Sequence, residues 1–141
     1  MITERVSREY NRFIEDSDGR PAVRVINRGS SAGSAETTGS QDLATGSLST
    51  TTALTGAFKI AYVSIHFSGA VSQTVTVTLD SAAGAAFDTV IDKVTLSSNT
   101  DYFLPGDKST VFATGNQINV TCTNSGTPAV TASLVIATDG A

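Results

Sequence analysis

Residues 57–141 alternate apolar and polar side chains over short stretches. The clearest stretch is VSQTVTVTLD, in which Val71, Val75, Val77 and Leu79 are separated by polar residues, most of them Ser or Thr. Because successive side chains of a strand point to opposite faces, this alternation predicts one apolar and one polar face. The preceding stretch FKIAYVSIHFS, residues 58–68, is apolar on both faces over much of its length, which is typical of a central strand.

Turn residues separate further stretches of this kind along the same region. The other predicted strands are FDTVIDKVTL (87–96), DYFLPGD (101–107), STVFAT (109–114), QINVTCTN (117–124) and AVTASLVIAT (129–138). Strands at intervals of about ten residues, joined by hairpin-type turns, indicate an all-β fold. We therefore predict an antiparallel β-sandwich or jelly roll over residues 57–141, preceded by an extended N-terminal arm.

The first 28 residues have a different pattern. Val6, Tyr10, Phe13 and Ile14 would lie on one face of a helix, whereas RPAVRVINR, residues 20–28, alternates as a strand does. The sequence therefore predicts an N-terminal anchoring arm over residues 1–28, built as a short helix and/or a strand.

Residues 29–56 are rich in Ser, Thr, Gly and Ala. Their only larger apolar residues are Leu43, Leu48 and Leu54. Such a composition buries too little surface to offset the ordering of the chain, so we predict a linker here.

The charge of the chain changes between residues 28 and 29. All six arginines lie within residues 1–28, which carry a balance of +1, whereas residues 29–141 carry three lysines against eight acids, a balance of −5. A mildly acidic body has no electrostatic reason to bind nucleic acid or an anionic membrane, and we expect neither as a partner.

The arginines have two possible roles. They are either a solvated tail with local ion pairs of little energetic value, or an anchor on the acidic surface of another subunit. The spacing of Arg20, Arg24 and Arg28 places all three on one face of a strand, opposite Val23 and Val25, and this favours an anchor. The predicted partner-binding residues of the arm are Arg5, Arg8, Tyr10, Arg12, Phe13, Ile14, Arg20, Val23, Arg24, Val25, Ile26 and Arg28.

Groups that support catalysis are sparse. His66 is the only histidine and has no carboxylate beside it in sequence, so we expect a partly buried or interface histidine. Cys122 is the only cysteine; it excludes an internal disulfide and alternates with Ile118 and Val120 as a core residue does. We expect no enzyme, no cofactor and no metal site, and a protein made and assembled in a cytoplasm without an export signal.

A resemblance extends these expectations. The charged leader ending DGRPAVRVINRG, the Ser/Thr/Gly-rich segment and the stretch DYFLPGDKSTVFATGNQINVTCTNSG together resemble small virion structural proteins of tailed bacteriophages. The resemblance implies a capsid decoration, collar, head–tail connector or tail adaptor protein. Its partners would be other virion proteins, such as capsid, portal or tail subunits, in a homo-oligomer located in the virion and assembled in the host cytoplasm.

A second function remains open: a carbohydrate- or receptor-binding module of a tail or head fibre. Sandwich domains carry such sites on their end loops. The aromatic residues nearest loops are Phe87, Tyr102, Phe103 and Phe112, and adjacency predicts that Tyr102 and Phe103 point to opposite faces.

Overall fold

The structure of the chain, a computed structural model, describes residues 14–15, 21–22, 33–124, 126 and 129–141. At the N-terminus, β1 (Ile14–Glu15) and β2 (Pro21–Ala22) form a two-stranded antiparallel ladder, with Ile14 opposite Ala22. For these four residues the backbone alone is described.

Eight further strands form two four-stranded antiparallel sheets. They are β3 (Ala35–Asp42), β4 (Leu48–Thr51), β5 (Phe58–Val71), β6 (Thr74–Asp80), β7 (Thr89–Thr95), β8 (Asn99–Pro105), β9 (Gln117–Cys122) and β10 (Thr131–Gly140), with a 3-10 turn at Ala85–Phe87 before β7. The first sheet has the order β4-β9-β6-β7 and the second has the order β3-β10-β5-β8. The predicted all-β class is therefore confirmed.

Apolar residues from both sheets share one core. In the first sheet, Val77 of β6 lies opposite Val120 of β9 and Val75 lies opposite Cys122, and all four are fully buried. In the second sheet, Leu134 of β10 lies opposite Ile65 of β5. The alternation seen in the sequence therefore turns one face of each sheet inward, and the two faces pack as in a sandwich.

The segment expected to be a linker contributes two strands, and this corrects the predicted boundaries. Within residues 29–56, β3 pairs along its length with β10, and β4 pairs with β9. Leu43 and Leu48 are buried in the core, although the residues around them are small and polar. Hydrogen bonding to a neighbouring strand compensates here for a weak apolar pattern.

The predicted strand STVFAT is wrong. Of residues 109–114, only Phe112 makes a ladder contact, an isolated bridge with Phe58. The two residues exchange backbone hydrogen bonds of 2.7 and 3.0 Å, and their rings stack with centroids 5.3 Å apart. Only Phe112 of this stretch packs against the core, and the other five residues are exposed.

The strand directions define two ends of the sandwich. At the end that we call the upper end, β3, β5, β7 and β9 begin, while β4, β6, β8 and β10 finish. The described sandwich also begins there, at Gly33. Loops 52–57, 81–88 and 106–116 lie at this end, and Leu54 and Phe112 pack against the core there.

Candidate interaction surface

Most of the predicted arm residues lie outside the described residues. These are Arg5, Arg8, Tyr10, Arg12, Phe13, Arg20, Val23, Arg24, Val25, Ile26 and Arg28. Ile14 lies in β1. The surfaces that the structure does describe belong to the sandwich.

Acidic residues concentrate at the upper end. Glu36, Asp80, Asp88, Asp107 and Asp139 lie at strand ends or in loops there, together with two of the three lysines, Lys59 and Lys108. Five carboxylates against two lysines give this end a balance of −3. The upper end is thus the more anionic part of an acidic body.

The same end exposes large apolar side chains. Phe87, Val90 and Val111 are each more than half exposed, and Ile91 is 38% exposed. They lie in or next to the loops 81–88 and 106–116, which contact each other through the hydrogen bond from the Ala82 amide to the Asn116 side chain. Several exposed apolar residues at one end of a domain make that end a candidate interaction surface.

A groove runs between the edge strands β7 and β8 at this end. We call it the edge groove; it has a volume of about 200 Å3 and is lined mainly by Ile60, Ile91, Leu104, Pro105, Asp107 and Phe112. This volume is below the roughly 300–1,000 Å3 of most small-molecule sites. The edge groove therefore suits a side chain of a protein partner better than a free ligand.

Two hydrogen-bonded features hold the edge groove in shape. The Tyr102 hydroxyl of β8 donates to the Asp92 carboxylate of β7 over 2.7 Å, which ties the edges of the two sheets together. Burial, together with Asp92, raises the pKa of Tyr102, so the hydroxyl keeps its proton. Gly106 donates its amide to the Ala61 carbonyl over 2.9 Å, where a β-carbon would collide with the Ile60 carbonyl.

Asp107 closes the loop at the rim of the edge groove. Its carboxylate accepts hydrogen bonds from the hydroxyls of Ser109 and Thr110 and from the Ser109 amide, at 2.6 to 2.9 Å. These bonds, those of Ser109 first, lower the pKa of Asp107 to about 2. A fixed negative charge therefore stands beside an apolar groove across the ordinary pH range.

A second surface lies on the outer face of the second sheet, and we call it the outer platform. Phe103 is 61% exposed and stacks on Tyr62, with centroids 5.7 Å apart and ring planes 25° apart. Tyr102 points the other way into the core, which confirms the prediction that it and Phe103 have opposite faces.

The outer platform also carries His66 of β5 and Asp101 of β8. This pair lies next to the pair formed by Ser64 and Phe103. The His66 Nδ1 is 2.8 Å from the Asp101 carboxylate, and the two side chains are 69% and 67% exposed. Of the two alternatives expected for His66, partial burial is therefore wrong, and an interface position stays a prediction. The register of β5 against β8 places His66 opposite Asp101, a residue 35 positions away, so neighbours in sequence gave no sign of the pair.

This pair predicts a measurable pH effect. The hydrogen bond from His66, followed by that from Thr100, lowers the pKa of Asp101 below its usual 3.8. Since the folded pKa is depressed, the pair stabilises the fold above pH 3.8, and the contribution disappears as the pH falls through the folded pKa. Carbon-detected NMR titration should show a midpoint for Asp101 below 3.8 that moves up in His66→Ala; an unchanged midpoint would contradict the contact.

Cys122 gives a second prediction. The side chain is fully buried in β9, which confirms its predicted core position, and burial raises the pKa of the thiol to about 11. At pH 8 the thiolate fraction should be on the order of 100-fold below that of a free cysteine. A thiol-reactive dye should therefore modify the folded chain slowly and the urea-unfolded chain rapidly. Equal rates would contradict the burial.

Other site types receive no support from the described part of the chain. No group of three or more His, Cys, Asp or Glu side chains there could hold a metal ion. No described helix is long and apolar enough to cross a membrane. No protein-family model and no curated protein matches the chain.

Proposed function

We propose that the protein is a non-catalytic structural subunit of a tailed-phage virion, of the capsid decoration, collar or adaptor type. Residues 1–28 attach it to neighbouring subunits. The observation that carries this proposal is the division of the chain. Eight strands between Ala35 and Gly140 share one core with an acidic, partly apolar upper end, while every arginine precedes that core.

The order of the strands supports the same proposal. Both sheets contain four strands, and the chain passes between them at nearly every connection; only β6 and β7 are successive strands of one sheet. We infer from this order that the fold is a jelly roll, an architecture that occurs in viral capsid and lectin domains. Since one fold serves many functions, the assignment depends on the surfaces and not on the fold alone.

The polar groups of the described sandwich favour a non-catalytic role. His66, the only histidine, hydrogen-bonds only to Asp101 among the described residues, and both side chains are solvated. A nucleophilic mechanism requires a hydroxyl or thiol within hydrogen-bonding distance of such a base. Cys122 is buried in the core and does not supply one.

Removal of residues 1–28 tests the proposal. The shortened chain is expected to keep the circular dichroism spectrum of a β-sandwich but to stay out of the particle fraction when it is produced with the other virion proteins. The intact chain, carrying the same affinity tag, is the control and should sediment with the particles. Normal incorporation of the shortened chain would contradict attachment through this segment.

The outer platform supports a second candidate function, a carbohydrate-binding module. An exposed phenylalanine stacked on a tyrosine offers an apolar face to a sugar ring, and the His66–Asp101 pair beside it offers polar partners for hydroxyl groups.

A glycan array probed with the intact chain separates the two candidates. Saturable binding that is lost in Phe103→Ala and retained in Phe87→Ala would favour the module, because both phenylalanines are similarly exposed and only Phe103 belongs to the platform. Absence of binding across the array would count against it.

A further inference from the structure

The edge groove and the carboxylates around it form a surface with a defined chemical preference. Its walls are apolar, with Ile91 and Phe112 facing the same space, and its rim carries the ionised Asp107. Asp80 and Asp88 lie at the same end of the sandwich. A partner that fits must bring apolar side chains together with positive charge.

Within this chain, the segment that combines apolar side chains with many positive charges is residues 1–28. Residues 1–28 hold all six arginines and six of the larger apolar residues that the sequence places beside them: Tyr10, Phe13, Ile14, Val23, Val25 and Ile26. The guanidinium group of arginine matches carboxylates with several donors at once. The segment and the upper end are complementary in charge and in apolar character.

The described N-terminal strands indicate that the segment needs a surface other than its own sheets. Among the described residues, β1 and β2 pair with each other and with no strand of the two four-stranded sheets. A two-stranded hairpin alone is marginally stable in water and requires packing against a further element. A sandwich surface with complementary charge and apolar side chains would supply that element.

We propose that the edge groove and the carboxylates around it bind residues 1–28 of a second copy of this chain. The inference rests on the proposed function, since it names the surface and the partner through which subunits assemble. One apolar side chain of the incoming segment occupies the edge groove, and its arginines pair with the carboxylates of the upper end.

Isotope-mixed cross-linking tests this directly on the intact chain. A photo-crosslinking analogue of phenylalanine replaces Val25, and natural-isotope and heavy-isotope chains are mixed in equal amounts before irradiation. Cross-linked peptides that join the two isotope forms and end in residues 88–92 or 104–112 are expected. Cross-links within one isotope form only, cross-links that map elsewhere, or a lack of cross-links would each overturn the proposal.

Matched variants provide a second readout. Ile91→Glu places a charge in the edge groove and should weaken self-association of the intact chain by about tenfold or more, whereas Phe103→Glu alters an exposed side chain on the outer platform and should not. Asp80→Lys should also weaken association. Its side chain is exposed and makes none of the described hydrogen bonds, so this variant tests the surface even if Ile91→Glu disturbs β7. Unchanged association in Ile91→Glu and Asp80→Lys would overturn the proposal.

The two proposals fail in different ways. If residues 1–28 are needed for incorporation into particles but cross-links avoid the edge groove, the assembly role stands and this surface is wrong. If the shortened chain is incorporated normally, the proposed function itself fails.

Discussion

Leu43→Ala is expected to lower the free energy of unfolding by about 2–5 kcal/mol, the usual range for removing a fully buried leucine side chain. Leu43 is completely buried, and its backbone bonds with Val130 and Gly126 fix it at the turn after β3. The remaining cavity would be lined by rigid strands that relax only partly.

Urea unfolding of the intact chain measures this loss, provided that the slope of free energy against urea is unchanged. Leu54→Ala is the control, because Leu54 lies in the same Ser/Thr-rich region but is only partly buried and should cost less. If residues 29–56 were a linker, Leu43→Ala would change stability by no more than about 0.5 kcal/mol, as a surface substitution does. That result would contradict the placement of β3 and β4 in the sheets.

Gly106→Ala should also cost at least about 3 kcal/mol, since overpacking and the loss of a hydrogen bond add to each other here. An added β-carbon would collide with the Ile60 carbonyl oxygen and would press on that of Ala61. The backbone must therefore move, which breaks the bond between the Gly106 amide and the Ala61 carbonyl.

Gly69→Ala is the matched control for this prediction. Its β-carbon would meet only a methyl group of Val130 at 3.6 Å, an ordinary contact, so stability should stay level or rise slightly. Thermal or urea unfolding compares the two variants. Equal midpoints would show that the chain does not make its close approach at Gly106.

Regular alternation made most of the fold predictable. The sequence predicts β6 because Val75 and Val77 alternate with threonines, and the patterns of β9 and β10 are similarly clear. The sequence does not predict β3, because the side chains on its inward face are small or polar: Ala35, Thr37, Gly39 and Gln41. At Gly39 the side chain of Thr50 from β4 fills the space that a larger residue would occupy, so close approach replaces apolar bulk.

The candidate surfaces were less predictable than the fold. The His66–Asp101 pair and the edge groove are each formed by residues distant in sequence, which only sheet register and strand order bring together. Composition did indicate the charge division, because all arginines precede an acidic body. It did not show that five of the eight acids in residues 29–141 lie at the end where the described sandwich begins.

Sedimentation velocity of the intact chain, at rising protein concentration and at two salt concentrations, tests most directly whether it is an assembly subunit. We expect a complex larger than one chain, because the arginine-rich segment and the acidic upper end have complementary charge. Its population should fall as sodium chloride rises from about 0.1 M to about 1 M, where screening shortens to a few ångströms. A single species with the mass of one chain at every concentration and salt would contradict the account.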